Sequence, residues 1–131
     1  VRANEGAAEA VTLPVIQIVP RHASWFDFES KYQAGGADEI CPAPIDEDLR
    51  DEVVRLAVEA HRLIDGHGLT RCDFMVGPDG PLILELNTIP GLTRASLAPK
   101  AADAAGMGFS GLIDDMIDRA RARGSRWSRP S

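Results

Sequence analysis

The chain has 131 residues, of which 44% are hydrophobic and 26% charged, which fits one compact folded domain and excludes disorder as its main state. A net charge of −6 and a pI of about 5.0 argue against nucleic acid or an anionic membrane as a partner. The two cysteines, Cys41 and Cys72, are too few for a disulfide framework, and no apolar run reaches membrane-span length, so we expect a cytoplasmic protein.

The first third of the chain predicts little regular structure. Residues 1–12 are rich in alanine and glycine and predict a loop or frayed end. Leu13–Val19 predicts a strand, which Pro14 places at a sheet edge or strand end. Residues 21–44 form a long irregular segment with four aromatic residues, and segments of this length are often lids or binding loops.

Three helices are predicted in the rest of the chain. The clearest is Asp46–Ile64, which has acidic residues in its first turn and an apolar face formed by Val53, Leu56, Ala57, Ala60, Leu63 and Ile64. His61 lies one position from that face, so we expect it on the helix surface. A short helix is predicted over Ser96–Ala105 and a last one from Ser110, followed by a flexible tail over residues 121–131.

Between the first two helices the sequence predicts a β-hairpin of Leu69–Val76 and Leu82–Asn87. Pro78-Asp79-Gly80 predicts a three-residue loop, a type I turn followed by a left-handed glycine. This register places Asp73 opposite Glu85 and Arg71 opposite Asn87. Because side chains alternate along a strand, the even positions form a core face, with Phe74 beside Leu84, while Met75 and Ile83 join the polar face.

The facing carboxylates of Asp73 and Glu85 would be roughly 5 Å apart and would repel each other. A Mg²⁺ ion would explain them, since it binds carboxylate and amide oxygens together with substrate phosphates, and Asn87 adds an amide oxygen. Arg71 supplies a positive charge suited to phosphate. The alternative is a solvent-facing polar strand face with an Arg–carboxylate pair, and spacing alone leaves both interpretations open. Met75 and Ile83 favour a covered cleft.

The sequence RCDFM at 71–75, a short turn and LELNTIPG at 84–91 together resemble the signature of D-alanine–D-alanine ligases, members of the ATP-grasp superfamily. The similarity extends over most of the chain from Leu13 to Ala120, including a strand, an omega-loop segment and the residues after the hairpin. It implies an α/β (α+β) fold, namely the C-terminal portion of an ATP-grasp domain, mainly antiparallel sheet with flanking helices.

The resemblance also implies a reaction. ATP phosphorylates the carboxylate of one D-alanine, and the amine of a second attacks the acylphosphate to give D-alanyl-D-alanine for peptidoglycan precursors. By motif match, Asp73, Glu85 and Asn87 would hold two Mg²⁺ (or Mn²⁺) ions, with Glu85 bridging. Arg71 would contact the ATP phosphates, near Asn87, and would stabilise the tetrahedral intermediate.

The substrate-binding and remaining catalytic residues are implied in the same way. The backbone N–H of Gly91 would approach the developing oxyanion, and Ser96 and Leu97 would contact the second D-alanine. Lys31 and Tyr32 would lie in an omega loop that closes over the site, where a tyrosine goes with dipeptide rather than depsipeptide products. The sequence departs from the family at Thr70, where a small or apolar residue is more common.

The chain starts without a methionine, inside an earlier strand of the family's domain, and lacks the family's ATP-binding lysines and adenine pocket. We therefore expect residues 1–131 to be a C-terminal fragment, inactive alone and completed by a missing N-terminal half or a homodimer partner. Two alternatives remain: another ATP-grasp carboxylate–amine ligase, or a non-catalytic module derived from one. Lys31, Tyr32 and residues 90–96 favour the D-alanine ligase, and the polar hairpin residues argue against the module.

Overall fold

The structure is a computed structural model that describes residues 2–3, 10–20 and 37–123. Within these ranges the strands form three antiparallel pairs, β1 with β4, β2 with β3 and β5 with β6, flanked by helices, as the predicted fold class requires. No helix in the described ranges is long and apolar enough to cross a membrane. In chain order the elements are β1 (Arg2–Ala3), β2 (Gln17–Pro20), β3 (Ala37–Ile40), α1 (Glu47–Leu63), β4 (Gly68–Leu69), β5 (Arg71–Gly77), β6 (Gly80–Asn87), α2 (Leu97–Ala104) and α3 (Gly108–Arg123).

The N-terminal third has more strand structure than the sequence predicts. The expected loop over residues 1–12 contains β1, in which Arg2 lies opposite Leu69. The predicted strand over Leu13–Val19 begins only at Gln17 and continues to Pro20. Its partner β3 lies inside the segment that was predicted to be irregular. The sequence does not predict β3 because its four residues, Ala37-Asp38-Glu39-Ile40, lack the alternating apolar pattern of a strand. The predicted loop over residues 21–36 lies outside the described residues.

Helix α1 closely matches its prediction, except on its buried face. Asp46 is the N-cap residue, although its side chain makes no capping hydrogen bond. The buried residues are Val53, Ala57 and His61, four positions apart, whereas Leu63 is 80% exposed. Leu63 follows His61 by two residues, which is roughly 200° around a helix and so points away from the core. The prediction that His61 lies on the surface is therefore wrong.

His61 is a buried polar residue at the contact between α1 and the strands. Its side chain is 1% exposed, and its Nδ1 lies 2.8 Å from Oγ1 of Thr70, which is 3% exposed. Burial lowers the pKa of His61 below its usual value, so the ring is neutral at pH 7. Its Nε2 has no hydrogen-bond partner among the described residues. Thr70 is thus the partner of a buried histidine.

A small apolar core joins β4 to the last two helices. It contains Leu69, Ala98, Ala102 and Leu112, with Leu13, Leu92, Met107 and Met116 packed around it. The alanines let α2 approach its neighbours closely. Leu69 lies two residues before Arg71, so the core holds the start of β5, where the polar residues of the hairpin begin. Helix α3 extends through Arg123, so residues 121–123 of the predicted tail are helical. The rest of that tail lies outside the described residues.

The turn after α1 brings Gly66 close to the His61 ring, so the space at this glycine can be tested. A methyl group on Gly66 would lie 2.7 Å from both Nδ1 and the carbonyl oxygen of His61, contacts that require the ring and backbone to move. We expect Gly66→Ala to lower the free energy of unfolding by about 1–3 kcal/mol, the usual cost of overpacking. Urea unfolding measures this change. Gly77→Ala is the matched control, because nothing lies within 4 Å of the added methyl, and equal destabilisation by both variants would contradict the prediction.

Candidate functional site

The polar end of the hairpin has the predicted register. Arg71 lies opposite Asn87, and Asp73 lies opposite Glu85. Because directly paired residues share one face of a ladder, these four side chains form one polar patch, which we call the hairpin site. Both predicted pairs of polar residues are therefore confirmed.

The turn that connects the strands differs from the prediction. Only Pro78 and Asp79 separate the paired residues Gly77 and Gly80, so the loop has two residues and not three. A two-residue loop alone would move Asp73 away from Glu85. The structure restores the register with a β-bulge, in which Leu84 is the extra residue of β6. Gly80 has a φ of +104°, the left-handed conformation predicted for it.

The bulge also changes which apolar side chains share a face. Phe74 lies opposite Ile83, and Met75 lies opposite Leu82, so the predicted pairing of Phe74 with Leu84 and of Met75 with Ile83 is wrong. Met75 is 43% exposed and Leu82 is 66% exposed. Both side chains are therefore exposed among the described residues, and the covered cleft stays a prediction.

Arg71 offsets the repulsion between the two carboxylates. Its Nε donates to Oδ1 of Asp73 at 2.8 Å and its Nη2 donates to Oδ2 at 3.0 Å, while Nη2 also reaches Oε1 of Glu85 at 3.4 Å. The hydrogen bond with Asp73, aided by the charge of Glu85, raises the pKa of Arg71, so it stays charged. The side chains of Arg71 and Asp73 are 29% and 28% exposed, so the pair contributes only about 0–1 kcal/mol to stability.

Asn87 is held by the chain that follows it. The backbone N–H of Ile89 donates to Oδ1 of Asn87 at 2.9 Å, an Asx turn that fixes the amide group. The same oxygen has a second lone pair for another contact. Within the described residues no group of three His, Cys, Asp or Glu side chains could hold a metal ion. The hairpin site offers a different donor set, namely two carboxylates and one amide oxygen.

The predicted substrate residues form a second cluster around Ser96, the N-cap residue of α2. The N–H of Thr93 donates to Oγ of Ser96 at 3.1 Å, the hydroxyl oxygen of Thr93 lies 2.9 Å from Oγ, and the N–H of Ser96 donates to the carbonyl oxygen of Thr93 at 2.8 Å. A methyl group on Gly91 would lie 2.8 Å from Oγ of Ser96, so only glycine permits this close approach. Leu97, half-buried, is the first residue of α2.

The structure thus places the predicted residues in two clusters connected by residues 88–90. Hydrogen bonds join members within the hairpin site and within the Gly91–Ser96 loop, but among the described residues none joins one cluster to the other. The two remaining predicted residues, Lys31 and Tyr32, lie outside the described residues.

Comparison with known proteins identifies the family. The family model for the D-ala D-ala ligase C-terminus matches residues 4–118. The chain belongs to this family. The predicted resemblance to D-alanine–D-alanine ligases is therefore confirmed.

The relatives with this family name that are described here are longer than the chain. The D-alanine–D-alanine ligase of Desulfotalea psychrophila is 45% identical over 115 residues, which cover 86% of the chain and 36% of that ligase. The ligase of Leptospira interrogans is 43% identical over 117 residues, covering 89% of the chain and 33% of that protein. The chain thus spans about a third of the length of these relatives.

A solved D-alanine–D-alanine ligase shows the fold. The crystal structure of the Bacillus anthracis ligase complexed with ATP matches with a TM-score of 0.69 and 36% identity, over 85% of the chain and 36% of that ligase. The predicted fold class is therefore confirmed: the chain has the fold of the C-terminal portion of the ATP-grasp domain in D-alanine–D-alanine ligases.

The sequence does not predict two interactions that lie near these clusters. The first is the buried pair of His61 and Thr70, for which the spacing of His61 from Val53 and Ala57 was an available signal. The second is an ion pair between Lys100 of α2 and Glu39 of β3. No sequence signal indicates the latter, because β3 itself was not predicted.

The hydrogen bonds of the Gly91–Ser96 loop converge on the hydroxyl group of Ser96, and their contribution can be tested. Ser96→Ala removes the acceptor of the Thr93 N–H, so we expect the amide of Thr93 to exchange faster, by a factor that corresponds to about 0.5–1.5 kcal/mol. Hydrogen exchange followed by NMR measures the rate. Ser110→Ala in α3, exposed and remote in sequence, is the control. Unchanged Thr93 exchange in Ser96→Ala would show that the hydroxyl does not hold the loop.

Proposed function

We propose that this chain is the metal- and D-alanine-binding part of a D-alanine–D-alanine ligase. Such a ligase joins two D-alanines through an acylphosphate at the expense of ATP and supplies peptidoglycan precursors. The observation that carries the proposal is the hairpin site, in which Arg71, Asp73, Glu85 and Asn87 share one face in a member of this family. Because the chain spans about a third of its relatives, the complete activity is assigned to the longer protein that contains it.

The donor set of the hairpin site fits a divalent metal. Asp73, Glu85 and Asn87 present only oxygen atoms, which hard cations such as Mg²⁺ and Mn²⁺ prefer. These three residues would hold two such ions in the complete ligase. When bound, the ions would neutralise negative charge on the transferring phosphoryl group. A cation at the carboxylates would also take over the role that Arg71 has in this structure, namely offsetting their mutual repulsion.

Arg71 is assigned to phosphate. Its planar guanidinium already makes a two-pronged contact with Asp73, and the same fork matches a phosphate oxygen pair. The hydrogen bond with Asp73 raises the pKa of Arg71, so its guanidinium stays cationic near neutral pH. Asn87, directly opposite, lies close enough to share the phosphate-binding role. These two residues would orient ATP while the carboxylates bind metal.

The Gly91–Ser96 loop is assigned to the second D-alanine. Ser96 can offer its hydroxyl to a carboxylate, and Leu97 offers apolar contact for a methyl group. Gly91 leaves its backbone N–H accessible, since it is exposed and has no side chain, and such a donor can stabilise a developing oxyanion. Lys31 and Tyr32 are assigned, by family resemblance alone, to a loop that covers the substrates.

The proposal includes partners and a location. The remaining part of the ligase, or a second copy of the protein, would complete the ATP site. Exposed apolar residues on the outer half of the hairpin, including Val76, Leu82 and Leu84, support this, because such surfaces in soluble proteins are often contact sites. A cytoplasmic location is supported by the use of ATP and by the two free cysteines.

Formation of ADP that depends on D-alanine tests the proposal. The longer protein that contains this chain should produce ADP with ATP, Mg²⁺ and D-alanine, and D-alanyl-D-alanine should accumulate in equal amount. We expect the 131-residue chain alone to produce none. ADP production with a different amine or carboxylate, and not with D-alanine, would identify another ATP-grasp ligase. No production with any such substrate would identify a non-catalytic module.

Asp73→Asn in the longer protein tests the metal assignment. Removing one carboxylate should lower kcat by about 100-fold or more, the scale of losing one electrostatic contact to the transition state. It should also weaken Mn²⁺ binding, measured by electron paramagnetic resonance. The melting temperature should change little, because the Arg71–Asp73 pair is partly exposed.

Asp115→Asn is the matched control for that variant. Asp115 of α3 makes the same two-pronged contact, with Arg119, at 2.7 and 3.0 Å, and its side chain is 23% exposed. This variant should leave kcat and Mn²⁺ binding unchanged and should destabilise the protein at least as much. If Asp73→Asn instead loses stability while retaining Mn²⁺ binding, Asp73 has a structural role only.

A further inference from the structure

The contact between α1 and the start of β5 contains a polar pair where apolar residues would suffice. His61 and Thr70 are 1% and 3% exposed, and they lie 2.8 Å apart through Nδ1 and Oγ1. Burying a hydroxyl and an imidazole is unfavourable unless they are paired, and apolar residues of the same shape would avoid that cost. Packing therefore does not explain why a hydrogen bond lies at this point.

Thr70 occupies a special place in the chain. It is the single residue between β4 and β5, after the core residue Leu69 and before Arg71. Because side chains alternate along an extended chain, Thr70 faces α1 while Arg71 faces the hairpin site. Thr70 and Arg71 are joined by one peptide bond. The hydrogen bond of Thr70 with His61 therefore restrains the backbone from which the Arg71 side chain extends.

His61 is itself held firmly enough to serve as an anchor. The N–H of Gly66 donates to the carbonyl oxygen of His61 at 2.8 Å, and the turn lies so close to the ring that Gly66 has no room for a side chain. Nε2 has no hydrogen-bond partner among the described residues, so the contact of Nδ1 with Thr70 sets the orientation of the ring.

We propose that His61 is a positioning residue for Arg71: through its hydrogen bond with Thr70, it fixes the first residue of β5 so that the guanidinium is aligned for phosphate. The inference rests on the proposed function, since it assigns His61 to the site that carries that function. A two-pronged contact tolerates little misalignment, and a displacement of about 1 Å in a catalytic group can lower the rate roughly 100-fold.

Two variants that preserve shape remove each half of the hydrogen bond. Thr70→Val and His61→Phe, made in the longer protein, should each lower kcat by about 10- to 100-fold, the range expected for a displaced catalytic group. The KM for D-alanine should not change, because the Gly91–Ser96 loop shares no hydrogen bond with this pair. Thr70→Ser keeps the hydroxyl and should retain the wild-type kcat.

The double variant separates positioning from packing. His61→Phe combined with Thr70→Val replaces both members of the His61–Thr70 hydrogen bond by apolar side chains, so its melting temperature should recover towards the wild-type value. Its kcat should remain low, because the anchor is absent. Val53→Ala, on the same buried face of α1, is the control: it should lower the melting temperature and leave kcat unchanged.

A spectroscopic measurement without substrate completes the test. The Nε–H of Arg71, assigned by its loss in Arg71→Lys, should exchange with solvent faster in Thr70→Val and in the double variant than in wild type. Equal exchange rates in all three, or a double variant that recovers kcat together with melting temperature, would overturn the proposal. If the wild-type protein makes no ADP with D-alanine, the proposed function fails, while the Nε–H exchange still decides the positioning role.

Discussion

The structure depends on two carboxylates that face each other across one antiparallel ladder, with a guanidinium between them. Asp73 and Glu85 repel each other, and the ion pairs with Arg71 are too exposed to contribute more than about 0–1 kcal/mol. The hairpin cannot be held together by its own polar face. Its position is fixed by contacts at its start, which are the apolar packing of Leu69 and the hydrogen bond of Thr70.

The support comes from one end of the hairpin. Leu69 belongs to the core with α2 and α3, and Thr70 is bound to α1, so all three helices meet at the two residues before Arg71. The opposite end, around Val76 and Leu82, is exposed. The charged end of the hairpin is therefore fixed by helix contacts, while its tip is exposed among the described residues.

The sequence predicts features that follow local rules and misses those set by tertiary contacts. The pairing of Asp73 with Glu85 follows from alternation, and the extent of α1 follows from periodicity. The spacing of His61 from Val53 and Ala57 is compatible with burial, but its polar partner Thr70 comes from a tertiary contact that the helix pattern does not contain. Strand β3 was also missed, since its pairing with β2 and not its own composition makes it a strand. The hydrogen bonds around Ser96 depend on a loop geometry that no periodicity encodes.

The bulge at Leu84 has a consequence for the loop lengths that this hairpin can accommodate. In an uninterrupted ladder, one residue gained or lost at the tip would shift every pair, and each side chain would move to the other face. Here the unpaired Leu84 divides the ladder into a tip and a base whose registers are set separately. One residue gained or lost near Pro78 would therefore be offset at the base by losing or gaining one unpaired residue of this kind, which keeps the three oxygen-bearing side chains in register.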